Sequence, residues 1–215
     1  ILCLHGYRQS AKVFKEKSGK FRKQMQKQLP SIEFTFIDAP HVVESSNQES
    51  RAWWFSRSDR TYSSKDAGDE TIGLEETIKF LTERIDILGP FDGVLAFSQG
   101  AALAIHLQAL IAQEKLSFPN IRFFILVAPF FIQTPVYHSM YRTLAVKLPT
   151  LIVSGVNDLV IPPERTAETH KLYQGCNSMT LLSHSGGHIL AIDAENKDVY
   201  IDFIQKFCGS NTPSS

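Results

Sequence analysis

The feature that most restricts the fold is an alternation of two patterns along the chain. Residues 1–4, 32–37, 94–97, 122–127, 150–154 and 179–182 are short, largely apolar runs. Each is too short for a buried helix, and most are apolar along their length rather than alternating, so they read as strands covered on both faces. Between the runs lie longer helical patterns, near 11–28, 71–88, 100–114, 163–173 and 194–208, with a shorter one near 135–146. Strands separated by helices form crossover units, and crossover units build a parallel sheet. The expectation is an α/β fold of about six mostly parallel strands with helices on both faces, the first strand lying between the second and third. A length of 215 residues suits a single domain over 1–215.

One strand-to-helix passage carries chemistry. In Gly93-Val94-Leu95-Ala96-Phe97-Ser98-Gln99-Gly100-Ala101-Ala102, an apolar run ends at Ser98 and small residues open a helix. This is the context of a nucleophile elbow, a tight turn that lifts a serine hydroxyl above the carboxyl end of a strand, and it points to the α/β-hydrolase fold. Gly100 allows close packing of helix on strand. Ala96 departs from the glycine that opens the usual pentapeptide, and a serine at this place also suits a helix cap. An elbow leaves the backbone N–H of Gln99 facing a developing oxyanion. The second donor comes from the loop after an earlier strand, where Leu4-His5-Gly6-Tyr7 offers the N–H of Tyr7. His5, beside that turn, is expected to support it by hydrogen bonding.

In this fold the acid and then the base follow the serine in chain order. Leu151-Ile152-Val153-Ser154-Gly155-Val156-Asn157-Asp158 delivers Asp158 just past a strand, although an aspartate there also suits a plain turn. Glu164 is the weaker alternative, in a first helical turn that should face solvent. After the last run comes Ser183-His184-Ser185-Gly186-Gly187-His188. Two glycines free the backbone to swing His188 toward a distant serine, which favours it over His184. The glycine pair also argues against a helix presenting both histidines to a metal, and no further ligand stands at suitable spacing, so no metal site is expected. Ser98 would attack, His188 would take its proton, and Asp158 would hold the imidazole tautomer.

The least regular stretch runs from about 41 to 70. It holds the polar run Ser45-Ser46-Asn47-Gln48 and the dense apolar cluster Ala52-Trp53-Trp54-Phe55. A loop of this length inside a domain is either pinned to the core or forms a wall or lid over a ligand site.

Charge and cysteine usage narrow the function further. Lysine plus arginine and aspartate plus glutamate both number 22, with no run of like charges, so nucleic acid is not an expected partner. No apolar run approaches the roughly 20 residues of a membrane span. Cys3, Cys176 and Cys208 are odd in number and scattered, which suits reduced thiols and a cytoplasmic location rather than a disulfide framework. The chain opens inside an apolar run rather than on Met, so residues are expected to precede it. The closing Thr212-Pro213-Ser214-Ser215 is a polar tail.

Several segments together resemble the FSH family of serine hydrolases, within it the ovarian cancer-associated (OVCA-type) esterase branch. They are His5-Gly6-Tyr7-Arg8-Gln9-Ser10, Lys15-Glu16-Lys17-Ser18-Gly19, Asp38-Ala39-Pro40-His41, Arg51-Ala52-Trp53-Trp54-Phe55, Leu88-Gly89-Pro90-Phe91-Asp92-Gly93, Asp158-Leu159-Val160-Ile161-Pro162 and His184-Ser185-Gly186-Gly187-His188. The resemblance implies a carboxylic-ester hydrolase without a cofactor and with Ser98, Asp158 and His188 as the triad. It implies a small hydrophobic ester as substrate, contacted by Trp53, Trp54 and Phe130. Thioester and lysophospholipid hydrolysis use the same triad, and a binding module on a hydrolase scaffold is the reading from another class. The sequence leaves the oligomeric state open. Ala128-Pro129-Phe130 departs from the small residue and glycine more usual after the fourth strand.

Overall fold

The computed structural model describes residues 1–44, 49–142, 146–173 and 179–208. The run Ser45-Ser46-Asn47-Gln48, Cys176, the polar tail from Thr212 and part of the helix expected near 135–146 lie outside these residues.

The chain forms β1 (Leu2–Leu4), α1 (Ala11–Lys17), α2 (Gly19–Gln28), β2 (Thr35–Phe36), β3 (His41–Val42), β4 (Arg51–Ala52) and α3 (Leu74–Leu88). There follow β5 (Gly93–Phe97), α4 (Gln99–Ala112), β6 (Phe123–Val127), α5 (His138–Arg142) and β7 (Thr150–Gly155). The chain continues through α6 (Pro163–Leu172), β8 (Met179–His184) and α7 (Lys197–Cys208). A six-stranded sheet runs in the order β2-β1-β5-β6-β7-β8, and every pairing in it is parallel. The strand that opens the chain therefore lies between the next two long apolar runs, as the pattern implied. β1 leads to β2 in one direction, while β5 through β8 step away in the other. With right-handed crossovers, that reversal sends the β1–β2 connection and the later connections to opposite faces of the sheet.

Burial explains the elements. β5 and β6 are buried at every position, and α4 is buried without interruption from Gln99 to Ala109. A helix apolar all round is one that is enclosed. It packs so closely on the neighbouring strand that a Cβ at position 100 would stand 2.5 Å from the Leu4 carbonyl oxygen, and only glycine fits there.

Three expectations change. The single helix over 11–28 is two helices, because Ser18 leaves helical geometry and turns its hydroxyl back to donate to the Lys15 carbonyl at 3.2 Å. The run 32–37 pairs only over Thr35–Phe36, since its one neighbour in the sheet, β1, is three residues long. The 41–70 stretch holds regular structure, an antiparallel pair of β3 with β4. Among the described residues, no helix is long and apolar enough to cross a membrane.

Candidate active site

Ser98 sits between β5 and α4 with φ 54° and ψ −115°. This is left-handed backbone that a non-glycine residue adopts only under constraint, at a cost of about 1–3 kcal/mol. Its surroundings supply the constraint: its N–H donates to the Val127 carbonyl at 2.9 Å, and its own carbonyl accepts from Ala102 at 3.0 Å, opening the helix. The hydroxyl is thereby held at the carboxyl end of the sheet, beside the point where strand order reverses and ligands of open α/β sheets bind.

The loops after β7 and β8 bring two more side chains to it. His188 Nε2 lies 3.0 Å from Ser98 Oγ, and His188 Nδ1 lies 2.7 Å from Asp158 Oδ2. A carboxylate only accepts, so Nδ1 carries the proton and Nε2 is left to accept from the serine hydroxyl. The second carboxylate oxygen, Oδ1, accepts from the N–H groups of Val160 and Ile161, both at 2.8 Å. These bonds fix the orientation of a buried carboxylate whose other oxygen faces the imidazole. The two loops are also tied to each other. Val156 donates to the His184 carbonyl at 2.9 Å, Asn157 to that of Gly186 at 3.2 Å, and the Asn157 side chain to that of Ser185 at 2.7 Å. Phe97 supports the imidazole ring, with centroids 4.8 Å apart.

The structure does not bring the alternative candidates here. His184 stays at the end of β8, where its Nδ1 accepts from the Gly186 N–H at 3.1 Å and burial lowers its pKa. Glu164 is exposed in the first turn of α6.

The turn after β1 passes directly beside Ser98. A Cβ at Gly6 would stand 3.3 Å from the Ser98 Cβ and 3.0 Å from the Phe97 ring, so a side chain there would crowd the site. The turn is braced by the Gln9 N–H donating to the Gly6 carbonyl at 3.1 Å, the Arg8 N–H to the Arg51 carbonyl at 2.9 Å and the Arg51 N–H to the Gln9 carbonyl at 2.9 Å. Tyr7, next along, lines the same cavity as Ser98, and Gln99 is the first residue of α4, where a backbone N–H has no intrahelical partner. His5 braces the turn from beneath: Nδ1–H donates to the Gly6 carbonyl at 2.8 Å, and Nε2 accepts from the Ala39 N–H at 3.0 Å. Burial holds its pKa down to about 4, so the ring is neutral.

Trp53, Trp54 and Phe130 are not on the wall of the site. All three are buried in the core. The physical reason is that the backbone of this segment is fully engaged below the surface. Gln99 Oε1 accepts from the Trp53 N–H at 3.0 Å and Gln99 Nε2 donates to the Trp54 carbonyl at 2.8 Å. Thr77 Oγ1 donates to the Trp53 carbonyl, and the Trp53 indole N–H donates to the His5 carbonyl at 2.7 Å. Phe130 lies under the Arg165 guanidinium, 5.6 Å from ring centroid to Cζ.

A cavity of about 410 Å³ opens beside Ser98 and His188. Its apolar lining comes from Phe97, Leu159, Val160 and Ile161, and another part of its wall from Tyr62, Ser63, Ser64 and Lys65. That wall belongs to a loop closed on itself: Ser56 Oγ donates to Asp66 at 2.5 Å and Arg57 to the same carboxylate at 2.9 Å. Tyr62 packs edge-on against Trp54, centroids 5.4 Å apart, so the buried tryptophan supports the wall without forming it. The sequence marks the 41–70 stretch as a possible wall or lid without singling out Tyr62–Lys65, and it assigns Leu159–Val160 no contact with substrate. The available signals were one aromatic in a polar stretch and two apolar residues directly after a loop aspartate. A larger cavity of about 540 Å³, lined by Ile1, Phe91 and Cys208 among others, contains neither Ser98 nor His188.

Comparisons with known proteins agree with this architecture. Residues 1–200 match the family described as serine hydrolase (FSH1). The chain is 37% identical to esterase OVCA2 of Danio rerio, over 96% of each chain. It is 36% identical to esterase CG5412 of Drosophila melanogaster, over 95% of this chain and 73% of that one. It is 32% identical to esterase OVCA2 of Homo sapiens, over 96% of each. Among solved structures, esterase PE8 superposes with a TM-score of 0.66 at 20% identity, covering 96% of this chain and 91% of that one. Arabidopsis thaliana SOBER1 superposes at 0.61 and 18%, covering 96% and 97%. At such identities these two structures report the shared fold.

Proposed function

The chain belongs to the serine hydrolase (FSH1) family, and on that premise we propose that it is a carboxylesterase hydrolysing hydrophobic alkyl or acyl esters through an acyl-enzyme on Ser98. The esterase names of relatives matched over nearly the whole chain support ester hydrolysis. The observation that carries the finer reading is the unbroken contact chain from Ser98 Oγ through His188 to Asp158.

In this reading Ser98 attacks the ester carbonyl carbon as His188 Nε2 takes its proton. The negative charge gathers on the carbonyl oxygen, where the N–H groups of Tyr7 and Gln99 stabilise it. Asp158 stays ionised and stabilises the imidazolium formed between them. His188 then returns the proton to the departing alcohol, leaving an acyl group on Ser98. Water, deprotonated by the same nitrogen, attacks that acyl group and releases the acid. Nothing in these steps calls for a cofactor. The apolar face of Phe97, Leu159, Val160 and Ile161 supports a hydrophobic arm on the substrate. Cys3 and Cys208, both free thiols, accord with a cytoplasmic location.

The test is covalent. A fluorophosphonate should label folded protein at Ser98 and abolish hydrolysis of p-nitrophenyl butyrate. Absence of labelling would sink the enzyme reading and favour a binding module. A kcat/KM series favouring acyl thioesters over matched oxygen esters would instead move the assignment to thioesterase.

A further inference from the structure

The cavity beside Ser98 is electrically lopsided. Its Phe97, Leu159, Val160 and Ile161 side is apolar, and Leu159 is 90% exposed at the rim. Lys65 is the charged side chain on the Tyr62–Lys65 part of the wall, and among the described residues no acidic one lines the cavity. Asp158 stands behind His188 with both oxygens engaged.

Behind the Lys65 wall is a second cation. Arg165, on α6, donates from Nη1 to the Ser64 carbonyl at 2.7 Å. Its Nε and Nη2 are buried without a hydrogen-bond partner among the described residues, and so is the hydroxyl of Tyr62 on the same wall. Glu168 is the facing carboxylate, 3.9 Å from Nε and half exposed, too far for a hydrogen bond. Asp66 on the loop is already held by Ser56 and Arg57. Burial lowers the Arg165 pKa, so the guanidinium lacks its full solvation. Buried charged donors left unpaired are costly, and a planar fork of donors suits a carboxylate.

Resting on the esterase reading, the geometry points to a narrower substrate class: esters with a second, free carboxylate on the arm lying against Ser63–Lys65. Lys65 holds that carboxylate, Arg165 reinforces the positive potential from behind, and the apolar arm lies over Leu159 and Val160. The chemistry at Ser98 is unchanged; the cationic wall selects and orients.

The experiment uses paired esters of equal length, one ending in a free carboxylate and its twin capped as the methyl ester or amide. The charge is placed at the end of the acyl arm in one pair and of the alcohol arm in the other. In one of the two placements, kcat/KM for the charged twin should exceed that of its neutral twin by roughly three- to tenfold at low salt. The advantage should collapse toward unity by about 0.5 M salt. Lys65→Glu should invert the ratio, and Arg165→Met should reduce it. A neutral preference in both placements, or a ratio that Lys65→Glu leaves unmoved, overturns the inference while leaving the esterase reading intact. Failure to hydrolyse any twin, together with no fluorophosphonate labelling of Ser98, overturns both.

Discussion

The carboxamide of Gln99 is bonded to the backbone of Trp53, 46 positions earlier, with its oxygen accepting from the Trp53 N–H at 3.0 Å and its nitrogen reaching the next carbonyl at 2.8 Å. The residue that follows the candidate nucleophile therefore also pins the loop beneath the pocket wall. Gln99→Leu leaves a buried N–H and a buried carbonyl unpaired. It should cost about 2–4 kcal/mol in urea denaturation, whereas Thr77→Val, which removes one donor to the same segment, should cost less. Equal stability of Gln99→Leu and the parent would contradict the clamp.

At the proposed triad, Ser98→Ala and His188→Ala should each remove turnover of p-nitrophenyl butyrate, and Asp158→Asn should lower kcat by about 10³- to 10⁴-fold. His184→Ala should retain most activity. If His184→Ala were the inactive variant, the base would be wrongly assigned.

Backbone strain at Ser98 gives a stability prediction independent of activity. Glycine accepts φ 54° freely and alanine does not, so Ser98→Gly should be more stable than Ser98→Ala by about 1 kcal/mol. A lower melting temperature for the glycine variant would show that the turn is not under strain.

Because Trp54 is buried and Leu159 is at the rim, the two should separate in function. Leu159→Ser should shift the alkyl-chain-length profile of kcat/KM. Trp54→Phe should mainly lower the melting temperature, by the loss of packed volume beneath Tyr62. A chain-length profile altered by Trp54→Phe alone would put that ring back on the wall.

Two buried histidines should make the fold acid-sensitive. Burial holds His5 and His106 down to about 4, while in the unfolded chain both titrate near 6.5. Between those values the unfolded chain binds more protons, so stability falls as pH drops from about 6.5 to 4, by a few kcal/mol in total. His106 contacts the Tyr141 hydroxyl at 2.9 Å, and His106→Asn should flatten the profile by roughly half if the fold is kept. Urea midpoints across pH 4–7 provide the check, and a flat profile in the parent would contradict it.

Much of the fold was readable because it is written locally. A run such as Val94–Phe97 reads as a covered strand, and Ser98-Gln99-Gly100-Ala101 after it as a tight turn into a closely packed helix. The order of β2, β1 and β5 followed from reading the alternating elements as a doubly wound sheet. The break at Ser18 was not readable, because helical periodicity continues across it and a single hydroxyl bond decides.

The residues of the proposed site divide in the same way. Ser98, Asp158 and His188 could be named from chain order, since each follows its own strand and the carboxyl ends of parallel strands lie together. Tertiary structure alone decided which side chains face the cavity. Trp53 and Trp54 have the composition of a binding wall, but Gln99, Thr77 and His5 satisfy their backbone and indole groups inside the core. Tyr62 to Lys65 and Leu159 take the exposed positions instead. Periodicity reports which elements form; the burial of a loop depends on hydrogen-bond partners tens of residues away, and no local pattern encodes them.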